Sequence, residues 1–145
     1  MARITAFITA YLNHYFKNLA HANIGDSSGL QPSSAAGNLY WALFTGDPTV
    51  SGSIALEADY TGYARQPAAR GSGFNVSGNQ VSNAGVITFP KNTGVTTDIC
   101  TYCALMGDLS GSTMLESGLL DNGGLSVTPN IIPEFAIGTL TITAT

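Results

Sequence analysis

Charge is what this sequence has least of. Charged residues make up only 10% of its 145 positions, against roughly 25% in an ordinary soluble domain. The surface must therefore be covered by Ser, Thr, Asn and Gly, or by other protein. Basic residues are the scarcest, since Arg3, Lys17, Arg65, Arg70 and Lys91 are all there are. From Asn92 to Thr145 the only charges are Asp98, Asp108, Glu116, Asp121 and Glu134, and the formal net charge is −4. Binding to nucleic acid needs a basic stripe that displaces counterions from phosphates. None exists, so a nucleic-acid partner is not expected. Long hydrophobic runs are missing too. No segment approaches the roughly 20 apolar residues that cross a bilayer, so no membrane association is expected. The apolar residues near the N-terminus are interrupted by Thr5, Thr9, Asn13, His14 and Lys17, which does not make the continuous block of a secretion signal.

Residues that carry chemistry are equally sparse. The two cysteines, Cys100 and Cys103, have C-x-x-C spacing but lie in Asp98–Met106, which reads as one strand. Residues three apart on a strand point to opposite faces, so the thiols should not meet. A zinc site would need a second pair of ligands, which is absent. Reduced, structural cysteines are the expectation. The two histidines, His14 and His21, both read as lying on the polar side of an N-terminal helix. Seven helical residues separate them by about 10.5 Å, too far for direct ligation of one metal. No calcium loop of EF-hand type and no phosphate-cradling loop is present. Glu57 and Asp59 could share a strand face as a glycosidase pair. Ion pairing with Arg65 or Arg70 is the commoner use of such carboxylates. Neither catalysis nor a cofactor is expected.

What the sequence does contain is pattern. Ile4, Phe7, Ile8, Tyr11, Leu12, Tyr15, Phe16 and Leu19 follow helical spacing and predict an amphipathic helix over residues 3–22. Residues 23–37 are a Ser/Gly/Pro-rich connector. From 38 to 145 the texture becomes short β-prone runs between turn residues, with candidate strands at 38–45, 62–69, 73–76, 86–89, 97–106, 113–120, 125–127 and 138–144. Without crossover helices this predicts an antiparallel sandwich, jelly roll or barrel, in one domain covering 1–145. In Leu39–Phe44 and in the cysteine strand both faces are apolar, so the outer face should meet the helix or a partner. Leu140, Ile142 and Ala144 instead alternate with threonines, as in a half-exposed strand.

The order of several stretches resembles that of small tailed-phage virion proteins. They are Asn38–Pro48 (Asn-Leu-Tyr-Trp-Ala-Leu-Phe-Thr-Gly-Asp-Pro), Glu57 with Tyr60–Arg65, Val81–Ala84 with Ile87–Pro90, and Ile131–Ile142. The resemblance covers roughly three quarters of the chain. It implies a jelly-roll-like β-sandwich subunit with no known catalytic residues. With the helix read from apolar spacing, the expected fold is mainly β, a jelly-roll-like antiparallel β-sandwich preceded by one N-terminal amphipathic α-helix. Similar sequences are capsid cement (decoration) proteins or tail-fibre-like proteins. One departure is Thr101–Leu105, which stands where a more polar or Gly-rich strand belongs.

Between those two roles the residues favour cement. The chain is short and unrepetitive, whereas tail fibres are usually long and repetitive. A cement protein covers seams between subunits of the major capsid protein shell, on the outer capsid surface, as a symmetric oligomer, here a dimer. The alternative is a tail-fibre or tail-tip adhesin that binds a host receptor. Candidate interface residues are Phe7, Tyr11, Tyr15, Tyr40, Trp41, Phe44 and Tyr102. For Tyr40, Trp41, Phe44 and Tyr102, plain core packing is an equal reading.

Overall fold

The computed structural model describes residues 3–51 and 54–145. In chain order the elements are α1 (Thr5–Lys17), β1 (Asn38–Phe44), α2 (Pro48–Ser51), β2 (Gln66–Ala69), β3 (Phe74–Ser77), β4 (Gln80–Asn83), β5 (Ile87–Thr88), β6 (Asp98–Cys100), β7 (Tyr102–Met106), β8 (Met114–Leu119), β9 (Leu125–Val127), β10 (Glu134–Phe135) and β11 (Thr141–Thr143). A single 3-10 turn occupies Ile54–Leu56, and Asp121–Gly123 is a tight turn with Asn122 in the left-handed region. The architecture is mainly β, with antiparallel sheets and one N-terminal helix, as the sequence predicts. The strands divide into sheets ordered β2-β1-β7-β8 and β11-β4-β3, with the pairs β10-β5 and β6-β9. Two compact units emerge, each built from separated stretches of chain: residues 1–38, 68–86 and 136–145 in one, 39–67 and 87–135 in the other.

In the first unit α1 packs on β3 and β4. Its buried stripe is Ile8, Leu12 and Phe16, each four residues from the last and so on one helical face. Phe16 lies against Phe74 with ring centroids 5.2 Å apart. The helix stops at Lys17, short of the expected Ala22. Asn18 takes the left-handed conformation (φ 55°) and its backbone N–H bonds to the Asn13 carbonyl, a cap that Asn tolerates. The Asn18 side chain then locks the exit, donating to the Ser33 carbonyl at 3.0 Å and accepting from the Ser33 N–H at 2.9 Å. Arg70 satisfies carbonyls of the last turn, donating to Tyr15 O at 2.6 Å and His14 O at 3.0 Å, where a cation also complements the helix dipole. His21 therefore lies beyond the helix rather than on its polar side. It is buried, bridged to Leu30 and packed on Phe7.

The β3–β4 hairpin turns on Gly78-Asn79 between the paired Ser77 and Gln80. Gly78 supplies the positive φ (60°) that a two-residue hairpin needs at its first loop position. β4 was not expected as a strand because Gln80-Val81-Ser82-Asn83 shows little apolar alternation. Its hold comes instead from Asn83, which is fully buried. The Asn83 amide donates to Gly85 O at 2.7 Å and Ala136 O at 2.9 Å, and its oxygen accepts from Leu140 N–H at 2.9 Å. One side chain thus clips the incoming C-terminal stretch to the sheet. β11 is half exposed, with Leu140 just before it buried, as its alternation with threonine implies.

In the second unit β1 pairs antiparallel with β7, Tyr40 opposite Met106 through Phe44 opposite Tyr102. Both faces of β1 are buried from Trp41 to Phe44. On one face Ala42, Phe44, Ala104 and Met106 form a cluster, covered by Tyr40, Leu56, Tyr102 and Met114. Where the sequence pointed to the helix or a partner as cover, Leu56 and Met114 of the same unit supply it. The expected single strand 97–106 is two strands. It breaks at Thr101, whose N–H bonds to Phe44 O and whose carbonyl accepts from Leu120 N–H. Before the break β6 pairs with β9, and after it β7 pairs with β1 and β8. Asn92 does in this unit what Asn83 does in the other. Fully buried, it donates to Thr96 O (2.8 Å) and Val127 O (2.9 Å) and accepts from Gly94 N–H (2.9 Å).

Cys100 and Cys103 are buried free thiols. Burial raises both pKa values from about 9 to about 12. The thiolate is the reactive form, so native protein should resist iodoacetamide at pH 8 and react only once unfolded. The folded pKa lies above the unfolded one. These groups therefore leave stability unchanged below about pH 9 and erode it as pH climbs toward about 12. Denaturant midpoints between pH 8 and 11 check the sign. A midpoint that rises over that range would contradict it.

Candidate functional site

Among the described residues, a dense polar constellation in the second unit centres on Arg65. Its guanidinium is almost wholly buried, with 3% of the side chain exposed. Nε donates to Glu57 Oε1 and Nη2 to Glu57 Oε2, each at 2.7 Å, a bidentate pair. Nη1 donates to the Asp108 carbonyl (2.9 Å) and carboxylate (3.0 Å), and Nη2 also reaches Gly111 O at 2.9 Å. Tyr63 Oη donates to Glu57 Oε1 at 2.8 Å and accepts from Leu43 N–H at 3.1 Å. Burial, then the Glu57 charge, drives the Tyr63 phenol well above its ordinary pKa. The Asp108 carboxyl is held below the usual range, first by hydrogen bonding from Thr113 and further by Gly111 and Arg65.

A cleft of about 450 Å³ opens beside this cluster, lined among others by Ile54, Glu57, Asp59, Tyr63, Arg65 and Leu109. Of the two carboxylates that a glycosidase reading would use, Glu57 is committed to Arg65 and Tyr63, and Asp59 is exposed. The arrangement is that of a satisfied ion network tying the 57–65 segment to the 108–111 loop. Of the ion pairs the sequence allowed, Glu57 or Asp59 with Arg65 or Arg70, the structure forms Glu57 with Arg65.

Elsewhere the chemistry is thin. Among the described residues no group of three or more His, Cys, Asp and Glu could hold a metal ion, and no helix is long and apolar enough to cross a membrane. The spacing G-x-S-x-G occurs at Gly25-Asp26-Ser27-Ser28-Gly29. It forms a turn in which Asp26 Oδ1 accepts from the N–H groups of Ser28 and Gly29. A nucleophile elbow instead runs from a strand directly into a helix, whereas this turn sits in the connector after α1, between the bridged His21 and Leu30.

The seven candidate interface residues fall into three groups. On α1, Phe7 and Tyr11 are 39% and 46% exposed, and Tyr15 is half-buried, stacked on Tyr11 at 6.1 Å. Together with Ile4, 70% exposed, they make an apolar stripe beside the buried one. In the second unit Tyr40 and Tyr102 are half-buried. Trp41 and Phe44 are interior, 4% and 0% exposed, and follow the core-packing reading. Sequence reasoning passed over the two asparagine clips, whose shared Asn-x-Gly spacing (Asn83-Ala84-Gly85, Asn92-Thr93-Gly94) was a usable signal. It also passed over the exposed Val95 and Ile99.

Comparison with known proteins places these features in a family. No curated protein matches the chain. The family described as Podophage GP4 fiber I protein gp80 matches residues 5–143, a span that holds α1, all eleven strands, both asparagine clips and the Arg65 network. The chain belongs to the Podophage GP4 fiber I protein gp80 family and is a fibre-like structural protein of a phage virion.

Proposed function

We propose that this protein is a non-enzymatic subunit of a virion fibre, a tail-fibre or tail-tip module that meets a receptor on the host surface. The observation that carries this reading is the fibre family's match over residues 5–143. The site geometry supports it from the side of chemistry, because the buried Arg65 guanidinium is consumed by structural contacts and Glu57 has both oxygens engaged. The exposed stripe of Ile4, Phe7 and Tyr11 supports a protein that works within a larger assembly as a homo-oligomer. The capsid cement role rests on a short, unrepetitive chain, which a small fibre subunit can share, and the fibre description favours the latter.

Cryo-electron microscopy of intact particles carrying this protein is the test. Density for the fold within fibres or at the tail tip is the expected result. Symmetric copies across the outer seams of the shell would overturn it in favour of a cement protein bound to the major capsid protein.

A further inference from the structure

We propose that Asn122 is a site of spontaneous backbone modification, converting through a cyclic imide to aspartate and isoaspartate. Asn122 and Gly123 lie in the exposed turn between β8 and β9, where the backbone is left-handed at both residues. The reaction needs the amide nitrogen of the next residue to reach the Asn side-chain carbonyl carbon, and two features of this turn open the way. The first is glycine at 123. It has no Cβ to shield its nitrogen, its φ is positive (82°), and a Cβ built on it meets nothing within 4 Å. A residue this permissive lets the preceding ψ rotate toward attack. The second is that Asn122 itself stands at φ 57°, a conformation non-glycine residues occupy at some cost, and its side chain is solvent-exposed.

The steps balance without any outside oxidant or reductant. Gly123 N gives up its proton and bonds to Asn122 Cγ; the Cγ–Nδ2 bond breaks and ammonia leaves with the proton. Water then adds to either carbonyl of the imide. Opening one way gives aspartate, and the other gives an isoaspartyl link in which the main chain runs through Cβ. Either product adds one negative charge to the turn.

The same chain holds its own controls. Asn23 (φ 62°) and Asn130 (φ 71°) share the left-handed backbone and are exposed. Each is followed by a β-branched isoleucine, Ile24 and Ile131, which crowds the attacking nitrogen. Asn83 and Asn92 are buried with both side-chain atoms engaged. The consequence of an isoaspartyl link would fall on β9. Gly124 sits so close to β6 that an added Cβ would lie 2.5 Å from the Cys100 carbonyl, and Leu125 pairs with Cys100. The extra main-chain methylene enters at residue 122, and the shift it causes is passed through Gly123 to the closely packed Gly124.

The experiment is to incubate the full chain at mildly alkaline pH and follow each asparagine by peptide mapping. Isoaspartate is read in parallel by enzymatic methyl transfer. Asn122 should convert about tenfold faster than Asn23 or Asn130, a modest difference in barrier. Asn122→Gly, which suits the left-handed position, should remove most of the isoaspartate signal while leaving the thermal transition in place. Conversion of Asn23 or Asn130 at the same rate as Asn122, or an Asn122 that stays intact, would overturn the proposal.

Discussion

Replacing Arg65 with Met should cost about 3–5 kcal/mol of stability, the range for breaking a buried ion pair from one side. The guanidinium is interior and its donors run to Glu57, Asp108 and Gly111. Removing it leaves the Glu57 carboxylate, whose side chain is 14% exposed, with Tyr63 as its remaining side-chain donor. It also strips hydrogen bonds from two backbone carbonyls of the 108–111 loop. Most of the loss therefore comes from a stranded charge, and a second substitution tests this. Arg65→Met combined with Glu57→Gln should recover part of it. Urea unfolding reads both changes as shifts of the midpoint at constant slope. A single-variant loss below about 1 kcal/mol, the ordinary value of a surface pair, would mean that the network holds little. The Asp108 carboxyl adds an acid limb. Its folded pKa is depressed, so its contribution is present above the ordinary carboxylate pKa and is lost as pH falls.

The second large effect is expected at Asn92. Leucine there keeps the volume but leaves Thr96 O, Val127 O and Gly94 N–H without their partner. Each unsatisfied buried group costs about 1–3 kcal/mol, so a loss of about 3 kcal/mol is a moderate expectation. The backbone of Asn92 also bonds to Ile131 O and accepts from Asn130 N–H. Loosening should therefore spread along residues 127–131. Hydrogen exchange of Val127 and Asn130 should accelerate in the variant before global unfolding. Unchanged protection there, with the same midpoint as wild type, would show that the clip is dispensable.

The parts of this fold that were legible in the sequence are those where side-chain periodicity carries the structure. The helix could be read from Ile8, Leu12 and Phe16, because burial on one face repeats with the helical turn. Its end could not, since Leu19 continues the apolar spacing while the cap is set by the backbone of Asn18 and the reach of Ser33. β1 was legible because Leu39–Phe44 is apolar throughout. β4 and β10 were not, because they are held by pairing and by an asparagine clip and carry little pattern of their own. The break at Thr101 depends on hydrogen bonds to Phe44 and Leu120, which no local window contains. At the candidate site, an ion pair of Glu57 or Asp59 with Arg65 or Arg70 was foreseeable, though not which of them would form. The contribution of Asp108 and Gly111 was not, being a tertiary contact with a loop more than forty residues away.

Each compact unit is assembled from stretches far apart in the chain, and this bears on vectorial synthesis. At ribosomal speeds of about 5–20 residues per second, α1 emerges long before its packing surface. It must wait for β3 and β4 to cover Ile8, Leu12 and Phe16, and then for residues 136–145 to complete the unit. The Asn83 clip cannot close until Ala136 and Leu140 have left the tunnel. Nascent chains should therefore carry an amphipathic, aromatic-rich helix without its final cover, and they would be natural clients of a chaperone that grips such surfaces until the last strand arrives.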